Sequence, residues 1–255
     1  MAAAPGALAG GLVRKSLSRQ VYETLEQAII DGRIAPGSRL GEDALAGAFS
    51  VSRSPAREAI VELERIGFAE RVAVRDRRVT VPTAAFIVDV FEVWALLESE
   101  RLHEASRNAT DASLRELDRI VETLEGLHRA RDREALDRLM PAFHAALQDG
   151  CRNRQLQRVA GDWHKYVCWV RNLYFDAAVR SSDPVEAAER AMEDHRQIVA
   201  AFRRRDREAL LEVTRRHIEW QRDRIIAGWR ASSAAELASS SRTVDFAIAG
   251  EGAIP

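Results

Sequence analysis

The chain has 255 residues, 46% hydrophobic and 30% charged, and its 38 basic and 39 acidic residues leave a net charge of −1. Such a balance excludes a disordered chain and a uniformly basic nucleic-acid coat. No apolar run approaches the roughly 20 residues of a membrane-spanning helix, and Cys151 and Cys168 form neither a CxxC nor a disulfide framework, which suits thiols in a reducing compartment.

Met1–Val13 is small, apolar and without period. Its basic residues, Arg14 and Lys15, follow the apolar stretch instead of preceding it, the wrong order for a signal peptide. Residues 1–14 therefore read as a loose tail of a cytoplasmic protein. Val21, Leu25, Ala28 and Ile29 recur at helical spacing within Ser18–Asp31. Gly32 suits the stop, and Pro36-Gly37 makes a turn. Glu42–Phe49 is a short helix with Leu45, Ala46 and Phe49 inward, and Ser50-Val51-Ser52 is a tight connection. Ser54 is a good N-cap with Pro55 in the first helical position, and Ala56, Ala59, Ile60, Leu63 and Ile66 form the apolar stripe of a third helix ended by Gly67. Val72 and Val74, then Val79 and Val81, alternate on either side of a charged turn, the pattern of a small hairpin. Residues 15–82 thus describe a winged helix-turn-helix.

From residue 84 to 230 the helical pattern is almost continuous, with helices expected near 84–108, 111–130, 132–149, 153–176, 184–204 and 206–230. Asp111, Asp183 with Pro184, and Asp206 mark helix starts. Short connections and few strand signals predict an antiparallel helical bundle. Residues 231–255, rich in Ala, Ser and Gly, read as a disordered tail. The expected fold is mostly α, a winged helix-turn-helix followed by an all-α bundle.

The chemistry of the first part lies in Val51-Ser52-Arg53-Ser54-Pro55-Ala56-Arg57. Helix-turn-helix proteins set the start of the third helix against base edges in the major groove. There an arginine can donate two hydrogen bonds to guanine O6 and N7. Arg53 and Arg57 are placed for that role, Ser54 for a phosphate at the helix start, and Arg75, Arg77 and Arg78 at the hairpin for backbone or minor-groove contact.

On these residues, with Pro36-Gly37-Ser38-Arg39-Leu40, Glu42, Leu45-Ala46, Glu58-Ala59, Leu63 and Gly67, residues 17–82 resemble the DNA-binding domain of the GntR family of bacterial transcription regulators. One departure stands out: where that family often has a glycine in the wing tip, this chain has Arg77 or Arg78. Residues 84–230 resemble the FCD ligand-binding domain of the FadR-like subgroup, through Phe143-His144, Asn153 with Leu156, Asp194-His195 with Ile198, and His217-Ile218. The resemblance implies an effector pocket, and in many members an aspartate and three histidines that hold a divalent metal. The histidines carry over to His144, His195 and His217, but the aspartate position, four residues before His144, is Met140. Asp137 faces roughly the same way at a greater reach, and Pro141 threatens the helix geometry.

Three imidazoles can form an open site for Zn²⁺ or a similar ion, and a thioether is a poor fourth ligand for it. The subgroup also often carries an arginine four residues before a glutamate, facing the pocket; before Glu98 that position is Trp94. Trp94, Met140 and Asn153 are thus assigned to the effector pocket, which the first two are expected to make more apolar. The function that follows is an effector-responsive regulator that reads a palindromic DNA operator as a homodimer. The rival reading is a metal-dependent enzyme using His144, His195 and His217, which leaves the winged helix without a task.

Overall fold

The computed structural model describes residues 15–74, 76–180 and 183–236. Arg75 and both expected tails, apart from 231–236, lie outside the described residues. Among the described residues the chain forms two compact units, one of residues up to Ile29 with Arg33–Val81, the other of Ile30–Gly32 with the residues from Pro82 on.

The first unit holds α1 (Leu17–Ile30), α2 (Glu42–Ala48), α3 (Arg53–Arg65), β1 (Ala69–Ala73) and β2 (Asp76–Val79). Leu25, Ile29, Leu45, Ala56, Ile60, Leu63, Phe68 and Val79 make its core, each at most 2% exposed. Burying one such Leu or Ile contributes about 1.5–3 kcal/mol. The turn between α2 and α3 is built by backbone bonds from Ser50 N to Gly47 O and from Val51 N to Ala46 O, with Ser50 in the left-handed region (φ 52°). Helix α3 starts at Arg53, earlier than the sequence suggests, so Ser52 and not Ser54 occupies the cap position.

The strands pair antiparallel, Ala69 opposite Val79 and Arg71 opposite Arg77, with an irregularity between Arg71 and Ala73. Arg39 adds a one-residue bridge to Arg78. The expected inward alternation fails on the first strand: Val72 and Val74 are 58% and 85% exposed. Along β2 it is Arg77 and Val79 that turn inward.

The second unit is helical: α4 (Ala84–Asn108), α5 (Asp111–Ala130), α6 (Arg133–Gln148), α7 (Arg154–Arg180), α8 (Pro184–Arg204) and α9 (Arg207–Glu236). Helix α9 continues into residues expected to be tail. Side-chain caps start several of these helices: Thr83 Oγ1 accepts from Phe86 N, Asp132 Oδ1 from Ala135 N, Asp183 Oδ1 from Val185 N and Asp206 Oδ1 from Ala209 N. At α5 the cap is Thr110, in a reciprocal box with Ser113, and Asp111 sits in the first turn, where its charge suits the helix dipole. Pro141 lies inside α6 and does not end it.

Two apolar clusters fill the unit. One gathers Leu102, Leu117, Leu124, Phe143, Leu147, Met192, Phe202 and Leu210. The other gathers Ile87, Phe91, Trp94, Val170, Tyr174, Ile218 and Ile225.

Candidate functional site

The first turns of α3 present what a major groove would meet. Arg53, Ser54 and Arg57 are exposed, while Ala56, Ala59 and Ile60 one step round the helix are buried. Arg57 has no bonded acid among the described residues. Arg53 pairs with Asp43 of α2, but both side chains are at least 70% exposed. An ion pair that open to water contributes about 0–1 kcal/mol and leaves the guanidinium free to change partner. Ser54 Oγ bonds Glu58 Oε1 at 3.2 Å.

The wing is less cationic than its sequence. Arg77 is not a surface contact: its side chain is 10% exposed, and it donates Nε to Glu64 Oε2 at 3.0 Å and Nη1 to Glu42 Oε1 at 3.5 Å. It ties β2 to α2 and α3. Arg78 is exposed and donates Nε and Nη2 to Asp76 Oδ2 at 3.2 and 3.1 Å. Arg39, which the sequence reading did not assign to DNA, is 64% exposed beside the same Asp76.

In the helical unit the three histidines come together from α6, α8 and α9. The ring centroids of His144 and His195 lie 5.7 Å apart, and those of His195 and His217 4.8 Å apart. The His195 ring also packs against Phe143 at 4.9 Å. Burial holds His144 down at about 3, helped by the positive charge of Arg171 and Arg101. Burial likewise pushes His195 well below its ordinary value. Both rings are therefore neutral at pH 7.

Asp194 orients the ring of His217. Its buried carboxylate accepts from Arg190 Nε at 3.2 Å and Arg216 Nη2 at 3.3 Å, and faces His217 Nδ1 at 3.3 Å. Burial alone would raise the Asp194 pKa, but the bonds from His217 and Arg190 win and hold it at about 2. A carboxylate can only accept, so the His217 proton sits on Nδ1 and the Nε2 lone pair takes the Gln221 Nε2 amide at 2.8 Å. Nothing in the sequence pattern singled out Gln221.

The donor chemistry suits a divalent ion: neutral imidazoles are the ligating form. His195 moreover has both ring nitrogens buried without a partner. Against this, an ion would have to take His217 Nε2 from Gln221, and Met140 packs into the apolar cluster. In the present rotamers no three His, Cys, Asp or Glu side chains converge at ligand distance among the described residues.

Two pocket assignments change. Asn153 is exposed and serves as the cap of α7, its Oδ1 accepting from Gln155 N and Leu156 N at 3.1 Å. Trp94 is buried as expected, but it does not leave the site without a cation. The Arg101 guanidinium lies 5.3 Å over its ring, and His164 of α7 packs 4.9 Å from that ring.

Comparison with known proteins decides the class. Residues 17–78 match the bacterial regulatory proteins of the gntR family, and residues 89–219, more than half of the chain, match the FCD domain. This chain belongs to the GntR family, with a C-terminal FCD domain. Among its relatives, the HTH-type transcriptional regulator YdhC of Bacillus subtilis (strain 168) is 28% identical over 74% of this chain and 82% of its own length. The gluconate operon transcriptional repressor of the same organism is 23% identical over 83% of this chain and 85% of its own. The repressor NanR of Citrobacter rodentium is 28% identical over 74% and 86%. The structure of E. coli McbR/YncC shares the fold at a TM-score of 0.59 and 20% identity, covering 85% of this chain and all of that one. These relatives are transcription regulators, not enzymes, and the GntR-family member is a DNA-binding regulator like them. No described helix is long and apolar enough to cross a membrane.

Proposed function

We propose that this GntR-family regulator binds a palindromic operator in the cytoplasm as a homodimer and releases or grips it according to a small-molecule effector held in the α4–α9 bundle. The observation that carries the reading is the outward presentation of Arg53 and Arg57 on the first turns of α3, above a buried apolar face. A two-fold dimer would offer two such helices to successive major grooves, about 34 Å apart. An effector that prefers one arrangement of the bundle shifts the population of dimers whose helices match that spacing.

The test begins with selection of preferred sites from random duplex DNA. Against the selected site, Arg53→Ala and Arg57→Ala are each expected to lose about 1–3 kcal/mol of discrimination, while salt-dependent binding to random DNA persists. Unchanged preference in both variants would remove the reading helix from the account.

His144, His195 and His217 are the residues that would hold a divalent ion such as Zn²⁺, which would supply positive charge to orient an effector. Their part is to stay neutral and, for His217, to be aimed by Asp194. Zn²⁺ added to the metal-stripped protein is expected to raise its melting temperature, by the equivalent of about 2.7 kcal/mol at a hundred times Kd. His195→Gln is expected to lose that rise. An equal rise in the variant would place the metal elsewhere.

A further inference from the structure

Three side chains of α4 share its inner face at helical spacing: Trp94, Glu98 and Arg101. Arg101 and Glu98 form an ion pair whose side chains are only 11% and 7% exposed. Its geometry is one-sided. Arg101 donates both Nε (2.8 Å) and Nη2 (2.5 Å) to a single oxygen, Glu98 Oε2. The other oxygen, Oε1, accepts from Gln148 Nε2 of α6 at 2.9 Å. The two-oxygen fork that makes guanidinium–carboxylate pairs strong is therefore unused.

A buried pair of this kind gains little over its desolvation. Burial also raises the Glu98 pKa, against the pull of Arg101 and Gln148, so the carboxylate is held in surroundings that disfavour its charge. Trp94 carries the guanidinium on its face and packs on His164, which is exposed, as is Arg171 two turns further along α7. Arg101 and Arg171 are also the charges that act on His164, and both act on His144.

We infer that Arg101 is the residue with which this chain grips an anionic group of its effector, and that Glu98 stands in for that group until the effector arrives. The inference rests on the reading of the bundle as the effector-binding unit. The incoming anion takes Arg101 in a two-oxygen fork, and Glu98 gives up the guanidinium it is paired with. Because Glu98 also holds Gln148, the exchange alters a direct tie between α4 and α6.

Acetate, the smallest carboxylate, is the probe. It is titrated at pH 7.5 in place of chloride at constant ionic strength, with tryptophan fluorescence as the readout, since Trp94 lies against the guanidinium. Wild type is expected to give a saturable change, and Glu98→Gln, which removes the internal competitor, the same change at least ten-fold tighter. If the pair were only structural, Glu98→Gln would bind no better than wild type, and that result overturns the inference. So does the absence of a saturable response in Glu98→Gln. Arg101→Met is expected to lose the response. Should it fail to fold with Glu98 left unpaired, the uncharged Glu98→Gln/Arg101→Met double variant replaces it, and a retained response there also overturns the inference. Binding of wild type to random duplex DNA over a salt series is measured on the same preparation. Its absence defeats the reading as a regulator, whereas its presence with a failed acetate result defeats Arg101 alone.

Discussion

A histidine buried neutral is a liability in acid. His144, held at about 3, and His195, also well below its ordinary value of 6.5, stay unprotonated in the fold while the unfolded chain takes up protons below about pH 6.5. The unfolded state then binds more protons than the native one, so stability falls as pH drops through 6.5 and keeps falling toward 3. Each such histidine contributes a slope of up to about 1.4 kcal/mol per pH unit. Asp194 behaves differently: its carboxyl is depressed, so its contribution is intact above about 3.8 and is lost only below that. The window from pH 6.5 to 4.5 therefore reports on the histidines, His164 at about 4 among them, with Glu98, whose carboxyl burial raises, acting in the opposite sense. Urea midpoints are expected to fall across it, and the double variant His144→Gln/His195→Gln to flatten the fall. A variant with the wild-type slope would mean that other groups carry the acid sensitivity. The sequence could name these histidines only through the family resemblance, in which Phe143-His144 and Asp194-His195 are landmarks. It could not name Arg101, because which α4 side chain meets α6 and α7 depends on helix pairing that a single strand of residues does not specify.

At the scale of elements, the helices were legible from period and caps, and the errors concern faces and ends. Helix α3 begins at Arg53 because the cap needs only extended backbone at Ser52 (φ −72°, ψ 167°), with no side-chain bond to advertise it. The hairpin is more instructive. The sequence pattern puts Val79 and Val81 on one face of the second strand, and by the two-residue period of a strand Arg77 shares that face. Val81 lies beyond β2 and is 45% exposed, but within the strand the structure follows the parity: Arg77 and Val79 are buried and Arg78 is exposed. The long guanidinium can sit there because Glu64 and Glu42 reach it. Arg77 is thus a strut of the winged helix, and its replacement acts on folding before it acts on DNA. Arg77→Met leaves Glu42 without its cation and Glu64 with only the exposed Arg71 at 3.5 Å, so a loss of about 1–3 kcal/mol is expected, below the 3–5 kcal/mol of a fully buried broken pair. Chemical denaturation of the variant followed by circular dichroism checks this. A variant of wild-type stability whose DNA binding has lost salt dependence would restore Arg77 to the phosphate backbone.

For the whole molecule, the question is how closely the long helices can approach, and glycine answers it with two opposite signs for one substitution. Replacing a helical glycine by alanine gains roughly 1 kcal/mol of helix propensity if space allows. At Gly126 of α5 nothing lies within 4 Å of where a Cβ would stand, so Gly126→Ala is expected to stabilise by up to about that amount. At Gly228 of α9 the same methyl would stand 2.3 Å from Tyr174 O and 2.8 Å from Ala178 N, both backbone atoms of α7. Neither can rotate away, so α7 and α9 must part. Overpacking of this kind commonly costs about 1–3 kcal/mol and outweighs the propensity gain. The parting would also disturb Tyr174 and Ile225, which belong to the same apolar cluster as Trp94. Gly228→Ala is expected to lower the melting temperature by several degrees, at about 2–4 °C per kcal/mol for a chain of this size, while Gly126→Ala raises it slightly. Two variants that melted alike would show that α7 and α9 do not pack this closely.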